Sequence, residues 1–144
     1  MFMQIVQTGT TDSRVLQLFA EYDDFIEEFL GEDRIYYTRY SDAEKLETVW
    51  LALCEEAPAG VIAYREKASG VGEVKRLFVR PVYRGHGIGK CLLSRVESHA
   101  AEQGCEKLFL DTRATLMPAV PMYRSHGFAE IFRAGLYIQM EKSL

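Results

Sequence analysis

Several features that mark specialised chains are missing from this sequence. Its three cysteines, Cys54, Cys91 and Cys105, are an odd number without C-x-x-C spacing. Neither a disulfide framework nor a metal site is implied; reduced thiols in a reducing compartment are expected. No run of about 18 apolar residues exists, so no membrane-spanning helix is predicted. The opening MFMQIVQTGTTDSR lacks the charged start and long apolar stretch of a signal peptide. A cytoplasmic protein without a membrane partner is the expectation. Net charge is −4 with no clustered basic patch, which argues against nucleic acid as a partner. Internal repeats and low-complexity linkers are absent as well.

What is present is ordinary globular composition: 144 residues, 48% hydrophobic and 26% charged. That length suits one domain with one core, taken as residues 1–144. The charge is unevenly spread. Residues 1–60 hold 4 Lys/Arg against 13 Asp/Glu, a balance of −9, and residues 61–144 hold 13 against 8, a balance of +5. Such asymmetry suits one half that receives a cation and another that receives an anion, or simply two solvated faces.

MQIVQT (3–8) alternates as a strand. In TTDSRVLQLFAEYDDFIEEFLG, Val15, Leu18, Phe19, Tyr22, Phe25, Ile26, Phe29 and Leu30 fall on one helical stripe. Thr11 or Asp12 is the expected cap, Gly31 the stop, and a break near Asp23–Asp24 is allowed for. LETVWLALCEE (46–56) and GVIAYREK (60–67) read as strands around a turn at Ala57-Pro58-Ala59-Gly60. GEVKRLFV (72–79) is another strand, ended by Arg80-Pro81. A helix follows from Ile88 to about Gln103, with Ile88, Leu92, Leu93, Val96 and Ala100 inward. KLFLDT (107–112) is a strand, Pro118 and Pro121 bracket a short helix, and FAEIF and LYIQMEKSL close the chain as strands. The order predicts a mixed α/β fold with 72–112 as its crossover unit.

RGHGIGK (84–90) sits where the strand hands over to the helix. A helix's first turn carries N–H groups without intrahelical partners and partial positive charge, so glycines there let an anion reach the backbone. Arg84 and Lys90 add full charge. The Walker pattern fails, because Cys91 follows Lys90 and Arg84 stands where its first glycine belongs. The dinucleotide fingerprint also fails, since glycines 85, 87 and 89 have G-x-G-x-G spacing. The pattern that fits is R-x-x-G-x-G, carried by Arg84, Gly87 and Gly89.

Together, GEVKRLFVRPVYRGHGIGKCLLSRVESHAAEQGCEKLFLDT and AVPMYRSHGF strongly resemble the GNAT superfamily of acyl-CoA-dependent N-acetyltransferases. The resemblance covers residues 60 to 142; the first sixty fit by element order. It implies an α/β (α+β) GNAT-like fold with a mixed, mostly antiparallel sheet of six or seven strands. The sheet would be splayed at the acetyl-CoA site between strands 72–79 and 107–112 and flanked by about four helices. The acetyl-CoA core would lie at about 72–128 and acceptor-site elements at about 1–45, with the 113–120 loop completing the acceptor site.

The resemblance further implies roles. Arg84, Gly85, His86, Gly87, Ile88, Gly89 and Lys90 would hold the diphosphate of acetyl-CoA. Leu77, Phe78 and Val79 would pair with the pantetheine arm, one amide polarising the thioester carbonyl. Tyr123, in the A-x-x-x-Y-x-x-x-G-F context, would stand near the sulfur. With a phenol near 10 and a thiol near 8.5, hydrogen bonding to the thiolate is favoured over full proton transfer. Glu73 is the candidate base, in a family where other members use water chains or different acids. An amine of pKa about 10.4 is neutral at pH 7 in only about one molecule in 10³–10⁴, which is why help is needed. Tyr22, Phe25 and Phe29 are candidate acceptor liners. His86, His99 and His126 are not expected to act as bases, and Cys91 is expected to pack. Leu116 replaces an asparagine that many members use to bond the pantetheine, and Pro121 removes one helical N–H two residues before Tyr123.

The implied activity is acetyl transfer from acetyl-CoA to a primary amine of a small cationic molecule, by direct attack in a ternary complex. A lysine or N-terminal protein acetyltransferase and a non-catalytic acyl-CoA sensor are the alternatives. Members often dimerise through exposed strands, so a homodimer stays open.

Overall fold

The computed structural model describes residues 2–114, 116 and 119–144. The elements follow the predicted order: β1 (Met3–Thr8), α1 (Ser13–Leu30), β2 (Thr48–Cys54), β3 (Ala57–Ala68), β4 (Val71–Val79), α2 (Ile88–Glu102), β5 (Lys107–Arg113), α3 (Ala119–Ser125), β6 (Ala129–Ala134) and β7 (Tyr137–Ser143). They build one seven-stranded sheet in the order β1-β2-β3-β4-β5-β7-β6. Every neighbouring pair is antiparallel except β4–β5. The described residues hold three α-helices rather than about four; the remaining helical pieces are 3₁₀ segments at Gly31–Tyr36, Asp42–Glu44 and Pro81–Tyr83. None of these helices is long and apolar enough to cross a membrane.

Helices cover both faces of the sheet. On one, α2 buries Ile88, Leu92, Leu93, Val96 and Ala100 against Trp50, Ile62, Tyr64 and Leu108. On the other, α1 buries Val15, Leu18 and Phe19 against Val49, Leu51, Val61 and Phe78. Asp12 caps α1, accepting the Arg14 amide at 2.9 Å.

Two expectations are corrected. The β2–β3 turn is not Ala57–Gly60. It is made by Glu55 and Glu56 at φ 49 and 72, while Ala57–Gly60 lies within β3. A two-residue hairpin turn of type I′ needs both central residues left-handed, a job that usually falls to Asn or Gly. Two glutamates hide it. Here the register already jumps at Ala52/Leu53, which accommodates the proline-bearing segment. Nor does α1 break at Asp23–Asp24. Asp23 is buried, but it spends its carboxylate on tertiary partners rather than on its own backbone.

Those partners centre on Arg76. The β3–β4 register skips between Val61/Phe78 and Ala63/Lys75, and Arg76 adopts φ 54, a bulge that bends β4. From it, a guanidinium only 4% exposed reaches Asp23 Oδ1 at 2.9 Å and Glu44 Oε2 at 2.7 Å. Burial opposes its charge, and the hydrogen bonds to Asp23 and Glu44 more than reverse that. The rings of Phe19, Tyr22 and Tyr40 enclose the cation at 5.1–5.6 Å. Asp23 also accepts the Tyr37 hydroxyl at 2.7 Å and the Tyr40 amide at 3.0 Å.

Removing one member of such a pair strands a buried charge. Asp23→Ala is expected to lower unfolding stability by about 3 kcal/mol in urea titration, and adding Arg76→Met is expected to restore more than half of it. A loss below about 1 kcal/mol would mean that Glu44 alone satisfies the guanidinium.

Candidate active site

β4 and β5 pair only over Val71–Glu73 and Lys107–Phe109. Beyond that point both strands continue, β4 to Val79 and β5 to Arg113, without pairing to each other. A cleft of about 790 Å³ opens between them. Its walls come from Val74–Val79 of β4, Leu110–Arg113 of β5, the first turn of α2, Met122 and Tyr123 of α3, and Tyr22 and Phe25 of α1. The expected splay is therefore present, and it exposes two strand edges inside the sheet rather than at its rim.

At one end of the cleft lies the glycine loop. Gly85 and Gly87 take φ of 85 and 79, a region that L side chains rarely adopt, and this is what the turn into α2 requires of them. Gly89 is needed for another reason: a Cβ there would stand 3.2 Å from Met122 Sδ, so its absence lets α3 approach α2. The first intrahelical bond of α2 runs from the Cys91 amide to the Gly87 carbonyl at 3.1 Å. The amides of Ile88, Gly89 and Lys90 have no acceptor among the described residues. Arg84, Gly85 and residues 87–90 all line the cleft; His86 does not. Arg84 lies across the end of β4, its Nε donating to the Val79 carbonyl at 2.9 Å and its guanidinium over the Phe25 ring at 5.4 Å.

Six of the eight tyrosines line this cleft: Tyr22, Tyr36, Tyr37, Tyr83, Tyr123 and Tyr137. Tyr123 is buried on α3, its ring edge-on to Phe128 at 5.9 Å. Burial pushes its phenol well above the usual range, and the charges of Tyr22 and Asp111 push in the same direction. Burial likewise pushes Tyr22 up to about 12. Both phenols are therefore donors across the whole physiological pH range. They are weaker acids than a free phenol, which disfavours full proton delivery to a thiolate still further.

Other sequence-predicted residues lie elsewhere. Glu73 is buried in the last β4–β5 pair but does not line the cleft, and its carboxylate is held by Arg65 Nε at 2.8 Å. Phe29 is 43% exposed and leans on Phe25 from outside the lining. His99 sits edge-on between Trp50 and Tyr64, and His126 Nδ1 lies 3.3 Å from Glu97, so neither histidine is in the cleft. Cys91 is outside it too. Leu116 lines the cleft; residues 115, 117 and 118 of the expected acceptor loop, Pro118 included, lie outside the described residues.

Sequence reasoning missed Asp111. It is exposed in the cleft wall and accepts the Tyr137 hydroxyl at 3.2 Å. A signal existed: in KLFLDT, Leu108 and Leu110 alternate into the core, which turns Phe109 and Asp111 to the opposite face. Arg76 was missed as well, because a lone arginine inside a strand says nothing of the carboxylates that will meet it.

Comparison with known proteins agrees with this geometry. Residues 14–128 match the model of the Acetyltransferase (GNAT) family. The IAA acetyltransferase of Azospirillum brasilense is 42% identical over 71 residues, which is 49% of this chain and 46% of that protein. The three curated relatives above 40% identity are matched over 46%, 27% and 36% of their own lengths. An aminoglycoside N(6')-acetyltransferase type 1 of Stenotrophomonas maltophilia is 27% identical, over 87% of this chain and 81% of its own. Among solved structures, the PaiA N-acetyltransferase of Thermoplasma acidophilum, in complex with coenzyme A, superimposes over all of both chains with a TM-score of 0.76 at 19% identity. The parted strands, the glycine turn and the family match over most of the sequence lead to one conclusion: this chain belongs to the GNAT acetyltransferase family.

Proposed function

We propose that this chain transfers the acetyl group of acetyl-CoA to the primary amine of a small cationic molecule, by direct attack in a ternary complex. The observation that carries the reading is the pair of unpaired strand edges, β4 beyond Glu73 and β5 beyond Phe109, ending at the three free amides of α2. A gap between strands suits an extended arm that carries its own amides, as pantetheine does. Free amides at a helix start suit the diphosphate beyond that arm, and Lys90 adds charge there. Acetyl-CoA supplies an activated acyl group as its thioester.

In this reading the protein's own groups have separate tasks. Leu77, Phe78 and Val79 present main chain to the arm, and an amide of that stretch meets the carbonyl oxygen as negative charge develops on it. Tyr123 donates to the sulfur as it becomes a thiolate. The direction of its pKa supports hydrogen bonding as its role. The relatives named above support an acceptor of modest size: one acts on an aminoglycoside by its name. The cleft's aromatic lining and its carboxylates Asp33, Glu44 and Asp111 support a cationic one.

Calorimetry with coenzyme A and acetyl-CoA is expected to give saturable heat, and an amine panel scored by free thiol is expected to show turnover with small primary amines. Turnover with basic peptides only would turn the reading towards a protein acetyltransferase. Coenzyme binding with no turnover of any acceptor would turn it towards an acyl-CoA sensor, and no heat at all would remove it.

Tyr123→Phe is expected to lower kcat about 10–100-fold while leaving coenzyme A affinity within about twofold, because a bond to a developing charge matters chiefly in the transition state. An unchanged kcat would take Tyr123 out of the chemistry.

A further inference from the structure

The acidic groups of the cleft are not equally free. Glu44 is taken by Arg76 at 2.7 Å, with Lys75 at 3.9 Å. Asp33 sits on the exposed 3₁₀ segment at the cleft's rim. Asp111 differs from both. It is fixed on a strand whose other edge is fully paired with β7, from Lys107–Ser143 to Arg113–Tyr137. The one described hydrogen bond of its carboxylate comes from the Tyr137 hydroxyl, and no cation pairs with it among the described residues. It stands just past the last β4–β5 pair, in the wall of the gap. Its charge is felt by Tyr22 and Tyr123, which places the carboxylate within electrostatic reach of both phenols.

We infer that Asp111, held by Tyr137, is the carboxylate that receives the acceptor's ammonium group and so selects cationic primary amines. The inference rests on the acetyltransferase reading above. Magnitudes decide the form of the role. Moving a proton from an amine near 10.4 to a carboxylate near 3.9 is more uphill than releasing it to water at pH 7, so Asp111 is a binding group and not the base. One proton leaves the ammonium for solvent, to which the open cleft gives access. The freed lone pair then forms the C–N bond as the C–S bond breaks. A second proton leaves nitrogen on collapse and neutralises the thiolate. Asp111 keeps its charge throughout and holds the nitrogen in place through the hydrogen bond it accepts. Other charged or titratable groups around it are Arg113 two residues on, Tyr137 from β7, Tyr22 from α1 and Tyr123 from α3.

The test compares two nucleophiles in wild type, Asp111→Asn, Tyr137→Phe and Glu73→Gln: an alkyl primary amine, charged at pH 7, and hydroxylamine, which is uncharged there. In Asp111→Asn, KM for the alkyl amine is expected to rise about 10–100-fold with kcat changing far less, and hydroxylamine kinetics to stay within about twofold. Tyr137→Phe should raise KM in the same direction by a few-fold. Titration of the alkyl amine into the protein without acetyl-CoA, followed by NMR, should show weakened binding in Asp111→Asn, a smaller loss in Tyr137→Phe and none in Glu73→Gln. Equal losses with both nucleophiles, or a KM effect confined to Glu73→Gln, would overturn the inference while thiol release kept the acetyltransferase reading intact. Absence of acetyl-CoA heat and of thiol release in wild type would instead overturn that reading, and this inference with it.

Discussion

The buried guanidinium of Arg76 is the constraint on which the site's geometry depends. A left-handed residue in mid-strand is unfavourable, and a buried charge more so. Both are tolerated because Asp23 and Glu44 meet the charge and three aromatic rings enclose it. The bulge bends β4 just beyond the point where its pairing with β5 ends. The ion pairs anchor α1 and the Asp42–Glu44 turn beside that bend, so the aromatic side of the cleft is held against the strand that opens it. One residue links the splay of the sheet to the wall facing it.

The charge asymmetry of the sequence gains a different meaning in this light. The acidic first sixty residues and the basic remainder suggest a cation-binding half and an anion-binding half. Much of the complementarity is instead satisfied within the chain: Arg76 with Asp23 and Glu44, Arg80 with Glu21 at 2.7 Å, and Lys75 near Glu44. These pairs cross from one half to the other and join the N-terminal elements to the sheet. What is left for a ligand is a smaller set, with Asp111 contributed by the basic half. Net charge along a chain counts partners that folding will bring together, and it overstates what remains free.

The cleft also brings together polar groups of three kinds. At the α2 end the donors are main-chain amides beside Lys90, on a helix start whose glycines serve the turn and the α3 contact. Phenols line it as well, two of them raised by burial and so lasting donors. On the β5 wall is an exposed carboxylate. Main-chain donors, buried phenols and an exposed carboxylate thus line one groove.

Period-2 and period-3.6 patterning made the strands and the two long helices legible, because the face each residue turns inward follows from backbone geometry alone; α3 was marked by Pro118 and Pro121 instead. The inward set of α2 and the glycine turn into it were legible for the same reason: both are local. Three things were not. The Glu55–Glu56 turn depends on two glutamates adopting a conformation that their side chains do not favour, which register forces on them. The disengagement of Glu73 from the cleft depends on Arg65, a partner across the β3–β4 pair. The bulge at Arg76 and the place of Asp111 in the wall depend on where β4 and β5 cease to pair. By itself the sequence determined the elements and the glycine turn into α2, through short-range sterics. Only the tertiary structure decided which charges cancel one another and which face the groove, because electrostatic pairing is set by distances between residues far apart in the chain.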